Sequence, residues 1–225
     1  MRKMQGIAYA VGLITIVALA ALPASAGVLY TTLGPGNAYD GTGGWAVQGT
    51  NYRDAQVIAN PFTLGTGATV GDAVLALDSY GGDSPLNVYI ESDSGGSPDS
   101  ILALLSQAGT IPFWNYDPSF TGGLVTFTCS GAGCTLRAGS YWLVAQASDA
   151  TTNDGWFYAY GDATTNLAYN WLGSPTGPWT VNSENGNAFQ LDGGSTTPEP
   201  GSLILLGSGL LGLASVLRRR KNVFA

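Results

Sequence analysis

Residues 86–91 read LNVYIE, with apolar side chains at Leu86, Val88 and Ile90 and more polar ones between them. Successive side chains of a β-strand point to opposite faces of the sheet, so this period of two gives the segment one buried face and one solvated face. The stretch is too short and too regular in its alternation for an amphipathic helix. It predicts a strand that lies on a hydrophobic core.

The sequence around this strand has the same character between residues 27 and 197. Short apolar runs recur about every eight to twelve residues in a background rich in Gly, Ser, Thr and Asn, a rhythm typical of β-sandwiches and barrels. We therefore predict a single all-β domain, a jelly-roll-like β-sandwich. The other predicted strands are Val28–Thr32, a run from Trp45, Gln56–Leu64, Thr69–Leu77, Leu124–Cys129, Ser140–Ala147, and later runs at Trp156–Tyr160, Tyr169–Leu172, Trp179 and Ala188–Leu191.

Two segments need a further argument. Pro61 lies inside Gln56–Leu64 and lacks a backbone donor, which predicts an edge strand. Ser97–Gln107 fits either a helix capped near Ser97 or another strand, and the all-β context favours the strand.

The first 26 residues have the composition of a signal peptide. Arg2 and Lys3 precede an apolar stretch from Ile7 to Leu22, and Ala24-Ser25-Ala26 has the small residues that signal peptidase accepts. We expect cleavage after Ala26, and the alternative is a permanent N-terminal helix.

Residues 198–225 combine three signals in a fixed order. Pro198-Glu199-Pro200 is an extended motif, because two prolines disfavour both helix and sheet pairing. The uncharged run Ser202–Leu217 would span about 24 Å as a helix, a little less than the roughly 30 Å core of a bilayer. Its sixteen residues are followed at once by a basic stop that should stay cytoplasmic, made of Arg218, Arg219, Arg220 and Lys221. An ordinary tail anchor and a terminal core helix are the alternatives to a sorting signal.

This order of motif, transmembrane helix and basic tail resembles the PEP-CTERM sorting signal. The resemblance implies a protein of a Gram-negative bacterium that crosses the inner membrane, is held there briefly, and is cut near Pro198-Glu199-Pro200 by an exosortase. Signal peptidase would be the second processing enzyme. The mature protein would then reach the cell surface or the extracellular matrix and its exopolysaccharide.

The body resembles the bacterial choice-of-anchor domains, which are β-sandwich-like modules placed before interchangeable anchoring signals. The residues that carry the resemblance are Asn87–Ile90, Gly96-Ser97-Pro98, Leu136–Val144, Trp179 and Ala188-Phe189. It implies a β-sandwich and brings no catalytic residues with it.

The net charge of the body limits the partners that it can bind. Residues 27–197 contain Arg53 and Arg137 against fourteen carboxylates, a net charge of −12. Such a segment is repelled by nucleic acids and by anionic membranes, so neither is an expected partner. The charge favours solubility outside the cell. Ca²⁺ binding by loop carboxylates such as Asp83, Asp93 and Asp99 is the alternative, although no Asp-x-Asp-x-Asp-Gly loop occurs.

The chain has no histidine. This excludes a Ser-His-Asp triad, a Cys-His pair and the usual catalytic zinc sites, and it predicts that the protein is not an enzyme. Glycoside hydrolysis requires only two carboxylates, so Glu91 or Glu184, either of which could pair with an aspartate, keeps that reaction open as a third hypothesis. Cys129 and Cys134 flank a short turn, and in an exported protein they should form a disulfide rather than a redox or metal site.

Aromatic residues provide the remaining candidates for binding. Trp142 lies in an apolar strand and should be buried, whereas Trp156, Trp171 and Trp179 lie among Gly, Asn and Thr and are candidates for glycan contact. Burial in the core is the alternative for these three as well. The sequence thus predicts an exported, non-enzymatic cell-surface or matrix protein without a cofactor, and the second hypothesis is a carbohydrate-binding module that acts on exopolysaccharide.

Overall fold

The computed structural model describes residues 27–81, 85–114, 119–161 and 164–194, together with Gly209. The predicted signal peptide and the three parts of the predicted sorting signal lie outside the described residues, apart from Gly209. Residues 27–194 form one compact unit, and every described strand and core side chain lies in it. This segment therefore contains what it needs to fold by itself.

The regular secondary structure of the described residues is almost entirely β, as the sequence predicts. The strands are β1 (Val28–Thr31), β2 (Asp40–Gln48), β3 (Val57–Leu64), β4 (Ala68–Ser79), β5 (Leu86–Asp93), β6 (Pro98–Ala108), β7 (Gly123–Cys129), β8 (Thr135–Leu136), β9 (Gly139–Ala147), β10 (Asn153–Tyr158), β11 (Thr164–Asn170), β12 (Thr180–Asn185) and β13 (Phe189–Gly193). Two short 3₁₀ turns occur at Pro35–Asn37 and Ala132–Cys134.

The strands form one continuous curled sheet, and this is where the fold differs from the predicted sandwich of two separate sheets. The hydrogen-bonded order is β1-β13-β4-β7-β6-β5-β9-β3-β11-β12, and β10 joins β2 to the end of β4. All of these pairings are antiparallel. The cause is strand β6, which pairs with β5 on one edge and with β7 on the other. It thereby joins the strands that would form one layer (β1, β13, β4 and β7) to those that would form the other (β5, β9, β3, β11 and β12) through backbone hydrogen bonds.

The alternation in LNVYIE is found in β5, where Leu86, Val88 and Ile90 are buried in the main core. Ser97–Gln107 corresponds to strand β6, which resolves its ambiguity. The prediction of an edge strand at Pro61 is only half right. Strand β3 is not an edge strand as a whole, because it pairs with β9 along most of its length and with β11 as far as Ala59. Pro61 lies just beyond the point where the β3–β11 ladder ends.

Buried apolar residues occur on both faces of part of the sheet. The main cluster lies inside the curl and includes Phe62, Phe127 and Phe189. A smaller cluster on β3, β9 and β11 has Trp142 at its centre, as the sequence predicts for this residue. Cys129 and Cys134 are both buried and are joined by a disulfide between the end of β7 and the following 3₁₀ turn.

A fully buried polar pair connects β3 to the segment before β13. Asn60 Nδ2 donates to Asn187 Oδ1 at 2.9 Å, and the Asn187 backbone N–H donates to Asn60 Oδ1 at 2.8 Å. The Asn187 side-chain amide also donates to the carbonyl oxygen of Trp156. A buried polar group is costly unless it is hydrogen-bonded, so these bonds are needed for the core to close.

Replacement of Asn187 by alanine should lower the free energy of unfolding by at least about 2 kcal/mol, because it removes the acceptor of the buried Asn60 Nδ2 group and the hydrogen bond to the Trp156 carbonyl. Denaturant unfolding of the 27–194 segment measures this. Asn166, exposed on β11, provides the matched control: Asn166→Ala should change the stability by less than about 0.5 kcal/mol. Equal losses in the two variants would contradict the role given to Asn187.

Candidate functional site

An open cleft lies on the outer face of β2, β10 and the end of β4. The register places Ala46 of β2 opposite Gly155 of β10, and Gly155 opposite Asp78 of β4. Because Trp45, Val47 and Trp156 turn inward to the core, the residues next to them in sequence face outward. Gly44, Ala46 and Gly155 therefore form a floor almost without side chains.

Aromatic side chains border this floor on one side. The Tyr80 and Trp114 rings meet edge to face, with centroids 5.3 Å apart and an interplanar angle of 61°. The pair is positioned by the backbone, since the Trp114 N–H donates to the Ser79 carbonyl at 2.8 Å. Phe120 and Phe157 also line the cleft, whose volume is about 540 Å³. This is within the range of roughly 300–1,000 Å³ that is typical of small-molecule sites.

Polar groups are few and occupy defined positions. Gln48 Nε2 donates to Asn153 Oδ1 at 2.9 Å, so these amides hold each other at one end of the floor. Thr42 lines the cleft as well. Among the described lining residues, Asp78 is the one ionisable carboxylate and no basic residue is present.

Asp78 is 2% exposed, and its Oδ1 has no hydrogen-bond partner among the described residues. A Cβ atom at position 155 would collide with this oxygen, so any larger residue there would displace the Asp78 carboxyl group. Burial raises the pKa of Asp78 to about 6, and hydrogen bonds from the Tyr80 side chain and the Gly155 backbone offset part of that rise. The cleft therefore has a carboxyl group shielded by an aromatic side chain.

A second acid, Asp154, lies on the neighbouring strand β10 and on the inner face of the sheet. Asp154 is fully buried, and its side chain does not line the cleft. Burial raises its pKa to about 7; Ser79 lowers it, and the negative charges of Asp78 and Asp149 raise it further. Asp78 and Asp154 thus belong to adjacent strands but not to one open site.

Glu91 and Glu184, each of which the sequence keeps as a candidate for hydrolysis together with an aspartate, lie on β5 and β12. Three strands, β9, β3 and β11, separate them in the sheet. Glu91 is fully buried beside Trp142, and neither of its carboxyl oxygens has a hydrogen-bond partner among the described residues. Burial, with a smaller contribution from the charge of Asp99, raises its pKa to about 8.

The three tryptophans proposed for glycan contact have different environments, and none lines the cleft. Trp156 is fully buried and its Nε1 donates to the Ala188 carbonyl at 2.9 Å, which corrects the expectation that it could be exposed. Trp171 is 47% exposed and packs edge to face on Tyr169. Trp179 is half-buried against the Trp142 cluster, and its buried Nε1 has no hydrogen-bond partner among the residues that the structure describes.

Sequence reasoning missed Trp114 and Tyr80, two of the aromatic residues that line the cleft. Their proximity depends on the pairing between Ser79 and Phe113, across a separation that no local pattern reveals. The glycine run at residues 41–44 is the one signal in the sequence that could have indicated a surface with few side chains.

The carboxylates named for Ca²⁺ are engaged in other ways where they are described. Asp93 Oδ1 accepts a hydrogen bond from Trp142 Nε1 at 2.7 Å, and Asp99 Oδ2 accepts one from the Ser100 hydroxyl at 2.9 Å. Asp83 lies outside the described residues. Within the described ranges, no group of three or more His, Cys, Asp or Glu side chains is arranged to hold a metal ion. Calcium binding stays an untested prediction.

The sorting residues Pro198, Glu199 and Pro200, and the basic stop, lie outside the described residues. In the part of the chain that the structure covers, no helix has the length and apolar character required to cross a membrane. The predicted transmembrane helix is therefore not tested by the structure.

Comparison with known families identifies the tail. Residues 196–221 match the PEP-CTERM protein-sorting motif, which confirms the resemblance drawn from the sequence. The motif indicates export that depends on an exosortase and delivery to the cell surface. The match does not reach the body, so the likeness to choice-of-anchor domains stays a prediction. No curated protein matches the chain.

Glu91 should make the stability of the body depend on pH. Its pKa of about 8 in the folded state lies above the ordinary value of 4.5, so the folded protein holds a proton that the unfolded chain has lost at pH 7. The free energy of unfolding should therefore fall, by an amount on the order of a few kcal/mol, as the pH rises from about 5 to 8. Asp78 and Asp154 contribute in the same direction.

The variant Glu91→Gln keeps the shape of the side chain and removes its titration. It should be more stable than the parent at pH 8 and should show a flatter stability profile, measured by denaturant unfolding across this range. Glu184→Gln on β12 is the matched control for loss of a glutamate. A Glu91→Gln profile as steep as that of the parent would show that Glu91 is not the source.

Proposed function

We propose that the protein is an exported, non-enzymatic component of the cell surface or extracellular matrix, released from the inner membrane of a Gram-negative bacterium by an exosortase and associated with exopolysaccharide. The observation that carries the proposal is the PEP-CTERM protein-sorting motif at residues 196–221. The motif supports the route of export, and the properties of the body support the destination.

The two ends of the chain provide the processing signals in this proposal. Signal peptidase removes residues 1–26, and the exosortase cuts near Pro198-Glu199-Pro200. The apolar run Ser202–Leu217 is short for a permanent span, and the basic residues after it keep its far end in the cytoplasm. Glu199 is thereby presented in an extended peptide just outside the membrane.

The segment left by these two cuts has the properties of an extracellular protein. It has a disulfide, which persists in oxidising compartments, and a strongly acidic surface that favours solubility. Its carboxylates with the largest rises in pKa, Glu91 and Asp154, are fully buried rather than open to a substrate. These features support a structural or binding role over a catalytic one.

The second candidate function is that of a carbohydrate-binding module. The cleft on β2, β10 and β4 is the specific observation in its favour, since aromatic side chains beside a few fixed polar groups are the usual contents of a binding site. The two candidates are compatible, because a matrix protein can hold its polysaccharide through such a module.

The tail generates a direct test in the native host. Wild-type protein extracted from the cell surface should lack Leu203–Ala225, whereas Glu199→Ala should leave the uncut form in the inner membrane, because the exosortase no longer recognises its motif. Mass spectrometry of both fractions measures this.

Glu184→Ala, which removes a glutamate from the body and leaves the motif intact, is the control and should be processed normally. Recovery from the surface of wild-type peptides that run through Pro200 into Leu203 would show that the tail is a plain anchor. That result would overturn the proposed route.

A further inference from the structure

The cleft on the outer face of the sheet has the shape of a groove for a flat, extended ligand. Three rows of residues cross its floor: Gln48 lies opposite Asn153, Ala46 opposite Gly155, and Gly44 opposite Phe157. The middle row has hardly any side-chain volume. A ligand can therefore lie directly on the backbone of β2 and β10, where a larger residue on either strand would fill the groove.

The aromatic border supplies a surface for stacking. Tyr80 is 47% exposed, and Trp114 packs against it at the side of the floor where Asp78 lies. The apolar C–H face of a sugar ring is of the size and polarity that such rings bind, while its hydroxyl groups point sideways to polar neighbours. The amides of Gln48 and Asn153 are the matching donors and acceptors at the end of the floor.

The charge of the cleft and of the body around it indicates whether a neutral or an anionic sugar would bind. The cleft has a carboxyl group, Asp78, and no Lys or Arg among its described lining residues, and the body around it has two arginines against fourteen acids. Polymers with uronate or sulfate groups would meet repulsion without a compensating cation. Hydroxyl groups of a neutral sugar instead need no cation and can pair with the Gln48 and Asn153 amides that line the cleft.

We propose that the cleft formed by β2, β10 and the end of β4 binds a neutral polysaccharide, with one sugar ring stacked on the Tyr80–Trp114 pair and the chain lying over Ala46 and Gly155. This inference deepens the proposed function and rests on it for the source of the ligand, because it gives the body the site through which it holds exopolysaccharide. The exposed Trp171 has no part in this site.

The experiment uses the 27–194 segment, produced in an oxidising compartment, and measures binding by titration calorimetry. The probes are neutral hexaoses of glucose, mannose and galactose in several linkages, with an oligouronate as the anionic comparison. Trp114→Ala removes the stacking surface, and Ala46→Leu fills the floor without touching the aromatic pair. Trp171→Ala is the matched control, because it removes an exposed tryptophan elsewhere on the body.

We expect at least one neutral hexaose to bind and the oligouronate not to bind. Trp114→Ala and Ala46→Leu should each weaken binding by more than about tenfold, a change of about 1.4 kcal/mol, while Trp171→Ala leaves it unchanged. Thermal unfolding establishes that each variant is folded, and should Trp114→Ala not fold, Ala46→Leu alone decides. Binding lost in Trp171→Ala but kept in the other two variants would overturn the assignment, as would binding of the oligouronate alone or of no probe.

This result and the tail test fail separately. A body that binds no neutral sugar, in a host where the tail is cut and the protein reaches the surface, removes the cleft inference and leaves the proposed export in place. A body that binds sugar, in a host where the tail is never cut, does the reverse.

Discussion

The curled sheet depends on how two strands share one edge of β4. Strand β13 pairs with β4 as far as Leu75, and β10 takes over the same edge from Leu77 to Ser79. At the junction the Ala76 N–H donates to the Ala188 carbonyl, and the Ala188 N–H donates to the Phe157 carbonyl.

A buried asparagine pair lies at the same junction. The Asn187 side-chain amide donates to the Trp156 carbonyl, and Asn60 Nδ2 donates to Asn187 Oδ1. Where one strand replaces another along a buried edge, backbone N–H and C=O groups lose their partners in the ladder and must find others. The Asn60–Asn187 pair bonds to the backbone at this point, so the replacement of β13 by β10 beside β4 depends on it.

The same junction creates the cleft. Because β10 replaces β13 beside the end of β4, it can pair with β2 on its other edge, and β2 makes no other strand pairing in the described sheet. This three-stranded extension turns Trp45, Val47 and Trp156 into the core and leaves glycine and alanine on the outside. The chain at Pro112–Trp114 then lies along the opposite edge of β4 at Ser79 and carries Trp114 to Tyr80. The same strands therefore pack against the core with their inner face and form the candidate site with their outer face.

Local patterns predicted what depends on local geometry. The alternation in LNVYIE gives β5, and the short apolar runs give the all-β class, because both reflect a period of two along single strands. Trp156 was misjudged because its neighbours in sequence, Asn153 to Gly155, are polar or small, although the pleat alone turns the indole inward. The cleft could not be predicted, since Ala46, Asp78, Trp114 and Gly155 come together only through strand order. Pro61 combines a local feature with one that depends on strand order. Its missing backbone donor can be seen in the sequence, but whether another strand lies beside it depends on where the β3–β11 pairing ends.

Electrostatics connects the body to its tail. Six of the eight basic residues lie in residues 1–26 and 198–225, whereas fourteen of the fifteen acids lie between them. A chain of net charge −7 therefore becomes, once both ends are removed as proposed, a body with two cations and fourteen carboxylates. In the proposed route, the basic residues would hold the tail at the anionic cytoplasmic surface and would leave with it, while the strongly acidic body would be repelled by such a surface. Cleavage would thus end both the hydrophobic and the electrostatic attachment in one step, and in the proposed function the body would then hold its polysaccharide through uncharged groups, the aromatic and amide side chains that line the cleft.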